Sequence, residues 1–244
     1  MPASLPTPAA PAQDVTRSVL SIPAFRRLWN AMVFSSLGDW LGLLATTAMA
    51  QQLSGGSYTT ANFAIAGVFI ARLLPAVFLG PIAGVIADRL DRRKLMVSAD
   101  VMRAALYISI PIVNTYFWLY TAMILVECLT LFWSPAKEAT VPNLVGKEKL
   151  ENANQVSLLA AYGTAPIAAI LFSLLTLFAN AIESLFPFSI GGSIDIALYV
   201  NAASFAFAAI TIWGLKEIPK GAAAKKAKDE GVLKSLHDGW KSVS

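Results

Sequence analysis

The sequence predicts an all-α, polytopic membrane protein with six transmembrane helices, and three observations carry that prediction. Hydrophobic residues make up 56% of the 244, charged residues 14%, and the mean hydropathy is +0.60. That leaves too little polar surface to solvate a globule of this length. The apolar residues gather into six blocks, each near the roughly 20 residues a helix needs to cross a hydrocarbon core about 30 Å thick. Lys and Arg fall on alternate links only.

Residues 1–24 form the leader, and its Pro/Ala-rich stretch through Gln13 reads as disordered. The first block, 28–53, follows Arg26 and Arg27 and is too long and uninterrupted for a cleavable signal. It ends at Ser54-Gly55-Gly56-Ser57, a turn composition. The second block, 61–87, runs into the charged segment Gly84-Val-Ile-Ala-Asp88-Arg89-Leu-Asp91-Arg92-Arg93-Lys94. Such a link is too short for a domain and reads as a tight hairpin. The third block, 95–117, and the fourth, 118–140, meet at a turn near Asn114 and Thr115. A polar stretch, 141–154, precedes the fifth block, 155–179. A link around Pro187 to Gly192 precedes the sixth, 194–215. Residues 216–244 read as a solvated Ala/Lys linker followed by an amphipathic segment from Val232 to Trp240 at the membrane face. His237, on that tail, reads as a surface histidine. Pro75, Pro81, Pro111, Pro135 and Pro166 predict kinks or helix ends.

The distribution of positive charge sets the expected orientation. Arg17, Arg26 and Arg27 precede the first block. Arg89, Arg92, Arg93 and Lys94 lie between the second and third, and Lys137, Lys147 and Lys149 at or near the link between the fourth and fifth; more lysines follow the sixth. The three opposite links carry none, so both termini are expected to be cytoplasmic and the number of crossings even. The formal charge of +4 and pI near 9.2 therefore describe topology rather than a nucleic-acid face. Nucleic acid is not an expected partner; the lipid bilayer is. A single Cys128 excludes a disulfide framework and is expected as a small buried side chain. No nucleotide loop, zinc motif or nucleophile elbow occurs, so no metal, cofactor or enzymatic activity is expected.

Charges inside the apolar blocks cost roughly 2.5 to 3.5 kcal/mol each on insertion scales and call for partners or a wet cavity. Asp39 in the first helix is a candidate to bind a proton or a cationic substrate, or to make an interhelical hydrogen bond. Arg72 in the second is placed to reach Asp39 or Glu127, as an ion pair or a substrate contact. Glu127, deep in the fourth, is a candidate proton carrier. Asp100 and Arg103 share a helix face and are expected to pair near the charged hairpin. Gly80 and Gly84 lie on one face of the second helix and predict a close helix approach. Asp88 is suited to accept backbone N–H groups, and Arg89, Arg92 and Arg93 to bridge to carboxylates or lipid phosphates. Trp118 and Tyr120 read as interfacial anchors, and the other aromatics, Phe34, Trp40, Phe63, Phe69, Phe78, Phe132 and Trp133, as packing or lipid-facing.

The run Gly84-x-x-x-Asp88-Arg89-x-x-Arg92-Arg93-Lys94, between the second and third of six helices, resembles the loop signature of the major facilitator superfamily. Asp91 stands where that signature has glycine. Gly80-Pro81-x-x-Gly84, Ser98-Ala-Asp100-x-x-Arg103-Ala104, Ser35-Ser36-Leu37-Gly38-Asp39 and Pro135-Ala136-x-x-Ala139-x-x-Pro142-Asn143-Leu144-Val145 are similar to its drug and siderophore exporters, the branch near enterobactin exporters. The resemblance covers residues 25–215. It implies one half of a twelve-helix fold, built of two inverted three-helix repeats, whose partner is a second six-helix half, either missing by truncation or supplied by a separate polypeptide. It implies a cytoplasmic latch at Gly84, Asp88, Arg89, Arg92, Arg93 and Lys94, supported by Asp100 and Arg103, that breaks when the halves rock; the plainer alternative is that the arginines only retain the loop. The familiar fourth-helix basic signature of proton antiporters is not present around Glu127. Three readings follow: ion-coupled efflux of a small molecule, lipid or lysophospholipid flipping, and a non-transporting membrane assembly or regulatory protein.

Overall fold

The structure, a computed structural model, describes residues 19–87, 90–185 and 192–218. The leader through Ser18, Asp88 and Arg89, most of the link at Pro187, and the tail with His237 lie outside the described residues.

Six long helices run through the described chain: α1 Pro23–Leu53, α2 Tyr58–Ala87, α3 Arg92–Val113, α4 Tyr116–Val145, α5 Leu150–Leu185 and α6 Ser193–Trp213, with a 3-10 turn, Lys147–Lys149, before α5. Five of them, α2 to α6, contain stretches long and apolar enough to cross a membrane. The helix α1 has 31 residues, but Asn30, Ser35, Ser36, Asp39, Thr46 and Thr47 keep it from meeting the same test. Part of that polarity faces protein rather than lipid: Ser35, Gly38 and Thr46 are buried, and Thr46 Oγ1 donates to the Gly42 carbonyl at 2.6 Å.

The expected turn between the third and fourth blocks is present. Asn114, at φ 49°, takes the left-handed conformation that ends α3, and the Thr115 hydroxyl accepts from Trp118 N–H at 3.3 Å to cap α4. The helix α3 therefore stops at Val113 rather than residue 117. The polar stretch 141–154, expected as a link, is mostly helical: Val141, Val145, Ala153 and Val156 are buried. Their apolar spacing carries α4 and α5 past the hydrophobic blocks. No helix ends at Pro75, Pro81, Pro111, Pro135 or Pro166, so the expectation of helix ends there is corrected.

The helix α1 packs chiefly on α6 and α5, α4 on α3 and α2, and α3 on α6. Exchanging α1 with α4, α2 with α5 and α3 with α6 maps the α1–α6 and α1–α5 pairs onto α4–α3 and α4–α2 and the α3–α6 pair onto itself, the pattern that two related three-helix units produce. Hydrogen bonds follow the same exchange. Trp40 Nε1 of α1 donates to the Ala161 carbonyl of α5 at 2.9 Å, and Tyr120 Oη of α4 donates to the Ala64 carbonyl of α2 at 3.2 Å. Trp29 adds a second α1 to α5 bond, to the Val156 carbonyl at 3.0 Å.

Close approach occurs at Gly38 and Gly42 of α1, where a Cβ would meet Asn201 of α6 at 2.6 and 2.5 Å and, at Gly42, Tyr107 Oη at 2.5 Å. At Gly80 and Gly84 a Cβ would meet nothing within 4 Å. Among the described residues nothing packs on those two glycines, so the predicted close approach is not made there. Outward faces of α2 (Phe63, Ile70, Leu73, Val77, Phe78) and of α5 (Leu158, Ile170, Leu174, Leu177, Phe178) are exposed and apolar.

The buried apolar residues form two clusters stacked along the bundle. One holds Leu41, Ala45, Tyr107, Met123 and Phe205; the other, at the end bearing the charged hairpin, holds Phe25, Leu28, Met96, Ala136 and Ile212. Between them in sequence, on α1, α3 and α4, lie Ser35, Gly38, Asp39, Asp100, Arg103 and Thr130, and Asn201 and Ser204 of α6, flanked by members of the first cluster, face Gly38. This polar layer is the site.

Candidate functional site

The layer is built around Arg103 of α3, whose side chain is fully buried. Its Nη2 donates to Asp100 Oδ1, one helical turn earlier, and to Ser35 Oγ of α1 at 3.4 Å. Its Nη1 donates to Thr130 Oγ1 of α4 at 3.4 Å and lies 3.7 Å from Asp39 Oδ1. The guanidinium also sits 4.4 Å from the Phe205 ring centroid and 5.4 Å from that of Trp133, where the negative ring faces stabilise a cation. Trp133 Nε1 donates to the other Asp100 oxygen at 3.2 Å. One cation thus joins α1, α3, α4 and α6.

Asp100 and Arg103 pair as expected, but Asp100 is buried eight residues into α3, roughly 12 Å from its start. The pair belongs to the layer between the two cores and not to the hairpin.

A second ion pair joins α2 and α4: Arg72 Nε to Glu127 Oε1 at 2.8 Å, with side chains 20% and 17% exposed. Of the two expected partners of Arg72, the direct one is Glu127. Arg72 Nη1, Arg103 Nε, Tyr107 Oη and both amide atoms of Asn201 are buried without a hydrogen-bond partner among the described residues.

Asp39 differs from the other carboxylates. Its only ion pair among the described residues is the 3.7 Å approach of Arg103, and 31% of its side chain is exposed. It opens onto a cavity of about 240 Å³ lined by Ser36, Asp39, Trp40, Leu43, Arg72, Thr130, Ala161 and Tyr162. The sequence reading named Asp39 and Arg72. It missed Trp40, Thr130 and Tyr162 as cavity walls and Trp133 as a partner of Asp100, because aromatic and hydroxyl residues carry no intramembrane cost that would single them out. Asn201, a lone amide in an apolar helix, was the available signal for α6.

Around the charged hairpin, Asp91 Oδ1 accepts from Lys94 N–H at 3.1 Å and caps α3, so the residue that departs from the usual glycine is a helix cap. Arg92 Nη1 donates to the Ala139 carbonyl of α4 at 2.9 Å. The Arg93 guanidinium lies 5.4 Å from the Trp213 ring centroid, and Lys94 is exposed. Trp118 Nε1 donates to Ser109 Oγ at 2.8 Å. Cys128, expected to be buried, is half-buried and lines an apolar hollow with Met102, Leu106, Leu125 and Leu129. Among the described residues no cluster of His, Cys, Asp and Glu could hold a metal ion.

Residues 15–244 match the family described as transmembrane secretion effector, a branch of the major facilitator superfamily. The chain is 27% identical over 206 residues to the MFS-type transporter YfiS of Bacillus subtilis, covering 82% of this chain and 43% of that protein. It is 32% identical over 149 residues to the MFS-type transporter Rv0037c of Mycobacterium tuberculosis, covering 59% and 33%. It is 26% identical over 224 residues to macrolide efflux protein A of Streptococcus pyogenes, covering 88% and 50%. The chain thus spans half or less of the length of these relatives. Two of them are named as MFS-type transporters and the third as an efflux protein, in agreement with the reading that the chain is not an enzyme. With its apolar helices, stacked cores and buried charge layer, the chain belongs to the transmembrane secretion effector family of major facilitator transporters, as a multi-pass membrane protein.

Proposed function

We propose that this chain forms the first six-helix half of a secondary active exporter in the plasma membrane, working by alternating access and exchanging a cationic small molecule for protons at Asp39. The balance of charge within the membrane-spanning helices carries this reading. Three carboxylates, Asp39, Asp100 and Glu127, face two guanidiniums, Arg72 and Arg103. Glu127 is taken by Arg72, and Asp100 by Arg103. Asp39 is left with a loose partner and an opening to the cavity. An uncompensated negative charge in a low-dielectric site is stabilised by a proton or a cationic group. Glu127 serves as a second carrier only when Arg72 releases it.

The one-sided Lys and Arg distribution supports six crossings with both termini cytoplasmic. The second six-helix half covers the apolar faces of α2 and α5 and the open glycines Gly80 and Gly84, and the relatives' greater length supports its existence. The latch of Gly84, Asp88, Arg89, Arg92, Arg93 and Lys94 closes against it. Arg92 and Arg93 are anchored to α4 and α6 of this half, which holds the start of α3 in place while Lys94 stays available. The efflux reading is favoured over lipid flipping and over an assembly role by the macrolide efflux relative.

The test uses the full-length protein in everted membrane vesicles, with erythromycin as the first substrate. Accumulation driven by the proton gradient is expected, abolished by Asp39→Asn and partly kept by Asp39→Glu. Undiminished, gradient-driven accumulation by Asp39→Asn at equal expression would sink the assignment of Asp39.

A further inference from the structure

The groove between α4 and α5 continues past the cavity that holds Asp39. A second hollow, of about 430 Å³, is lined by residues including Lys137, Val141, Asn154, Ser157 and Leu158 and shares Ala161 with the first. The two hollows meet at Ala161, and helical spacing aligns them along the same helix faces. Thr130, Lys137 and Val141 lie on one face of α4, and Asn154, Leu158, Ala161 and Tyr162 on one face of α5.

Lys137 sits in this groove as Asp39 sits in the other, with opposite sign. Its side chain is 19% exposed, so the stem is packed away while its only ion pair among the described residues is a long one, 3.9 Å from Nζ to Glu138 Oε1. Glu138 is 70% exposed and accepts from Ser134 Oγ at 3.3 Å, which holds it on the helix surface. The ammonium otherwise rests 5.9 Å from the Trp133 ring centroid, the ring that also backs Arg103. A largely desolvated ammonium with a partner at the limit of pairing distance is a receptive site for an anion. Thr130 marks the level of Asp39, since Arg103 reaches both. Seven residues of α4 separate Thr130 from Lys137, roughly 10 Å along the helix, and the flexible lysine stem shortens the gap.

We propose that the α4 and α5 groove is a two-pole substrate track, in which Lys137 takes a carboxylate of a molecule whose cationic group lies at Asp39. The substrate class is then a zwitterionic amphiphile whose apolar body lies along Trp40, Leu158 and Tyr162. This inference rests on the proposed role of Asp39 and adds the opposite pole.

The test measures binding of two dyes to purified full-length protein at neutral pH by fluorescence anisotropy: rhodamine 110, which carries a cationic ring system and a carboxylate, and rhodamine 123, its methyl ester. Wild type is expected to bind rhodamine 110 about tenfold more tightly, as one charge-assisted contact gives. Lys137→Gln removes that preference by weakening rhodamine 110 alone, and Lys137→Arg retains it. Asp39→Asn weakens both dyes. Equal affinities in wild type, no binding of either dye, or an equal effect of Lys137→Gln on both overturns the two-pole track. If Lys137→Gln acts on rhodamine 110 alone while Asp39→Asn changes neither dye, the anionic pole at Asp39 is overturned and the Lys137 site stands.

Discussion

Arg72 Nε of α2 lies 2.8 Å from Glu127 Oε1 of α4, joining the second helix of one three-helix unit to the first helix of the other. Two charges that would each be costly in lipid become one neutral crosslink. The pair is buried enough that losing one partner strands the other.

Glu127→Ala is therefore expected to destabilise the protein by about 3 kcal/mol, leaving Arg72 uncompensated, while Arg72→Met with Glu127→Met recovers most of the loss. Thermal unfolding of the wild type and the two variants in detergent measures this. If the double variant is no more stable than Glu127→Ala, the crosslink is not what holds these helices.

The two carboxylates beside Arg103 should separate by role. Asp100→Asn removes the tight partner of a fully buried guanidinium and is expected to cost about 3 to 5 kcal/mol. Asp39→Asn removes a loose, partly exposed partner and is expected to cost far less while abolishing coupled transport. Unfolding and vesicle uptake on the same preparations give both readouts, and a larger stability loss at Asp39 than at Asp100 contradicts the geometry.

Gly42→Ala places a methyl 2.5 Å from both Asn201 Nδ2 and Tyr107 Oη and is expected to cost about 1 to 3 kcal/mol through overpacking between α1, α3 and α6. Adding Tyr107→Phe should restore part of it. Gly80→Ala and Gly84→Ala meet open space within a helix and should leave the stability of the six-helix unit undiminished or raise it by up to about 1 kcal/mol. Loss of transport by these two in the full-length protein then reports contact with the second half.

Asp91 caps α3 through Lys94 N–H. Asp91→Ala is expected to cost about 1 kcal/mol and Asp91→Gly only a few tenths, because glycine at this position leaves the N–H groups open to water. Comparable losses for the two, by thermal unfolding, contradict the capping role.

The order of helices, the turns at Ser54 and Asn114, and the membrane setting could be read from the chain because they depend on runs of apolar residues and on turn chemistry, both local properties. The same holds for the family resemblance and for the intramembrane charges Asp39, Arg72, Asp100, Arg103 and Glu127, which stand out against their apolar surroundings. Helix ends were less legible. The apolar spacing of Val141, Val145, Ala153 and Val156 extends α4 and α5 into a stretch whose composition resembles a link.

How the charges combine is set by helix packing. Spacing placed Arg103 beside Asp100, but the crossing of α1, α3 and α4 brought Ser35, Asp39, Thr130 and Trp133 around it. Arg72 had two candidate partners in sequence; helix packing chose Glu127 and left Asp39 facing the cavity. Gly80 and Gly84 looked like a contact and are open, whereas Gly38 and Gly42 carry the contact that α6 makes. A sequence states which side chains are costly to leave alone in a membrane. The partner each one finds is set by which helix faces meet, and that depends on residues far apart in the chain.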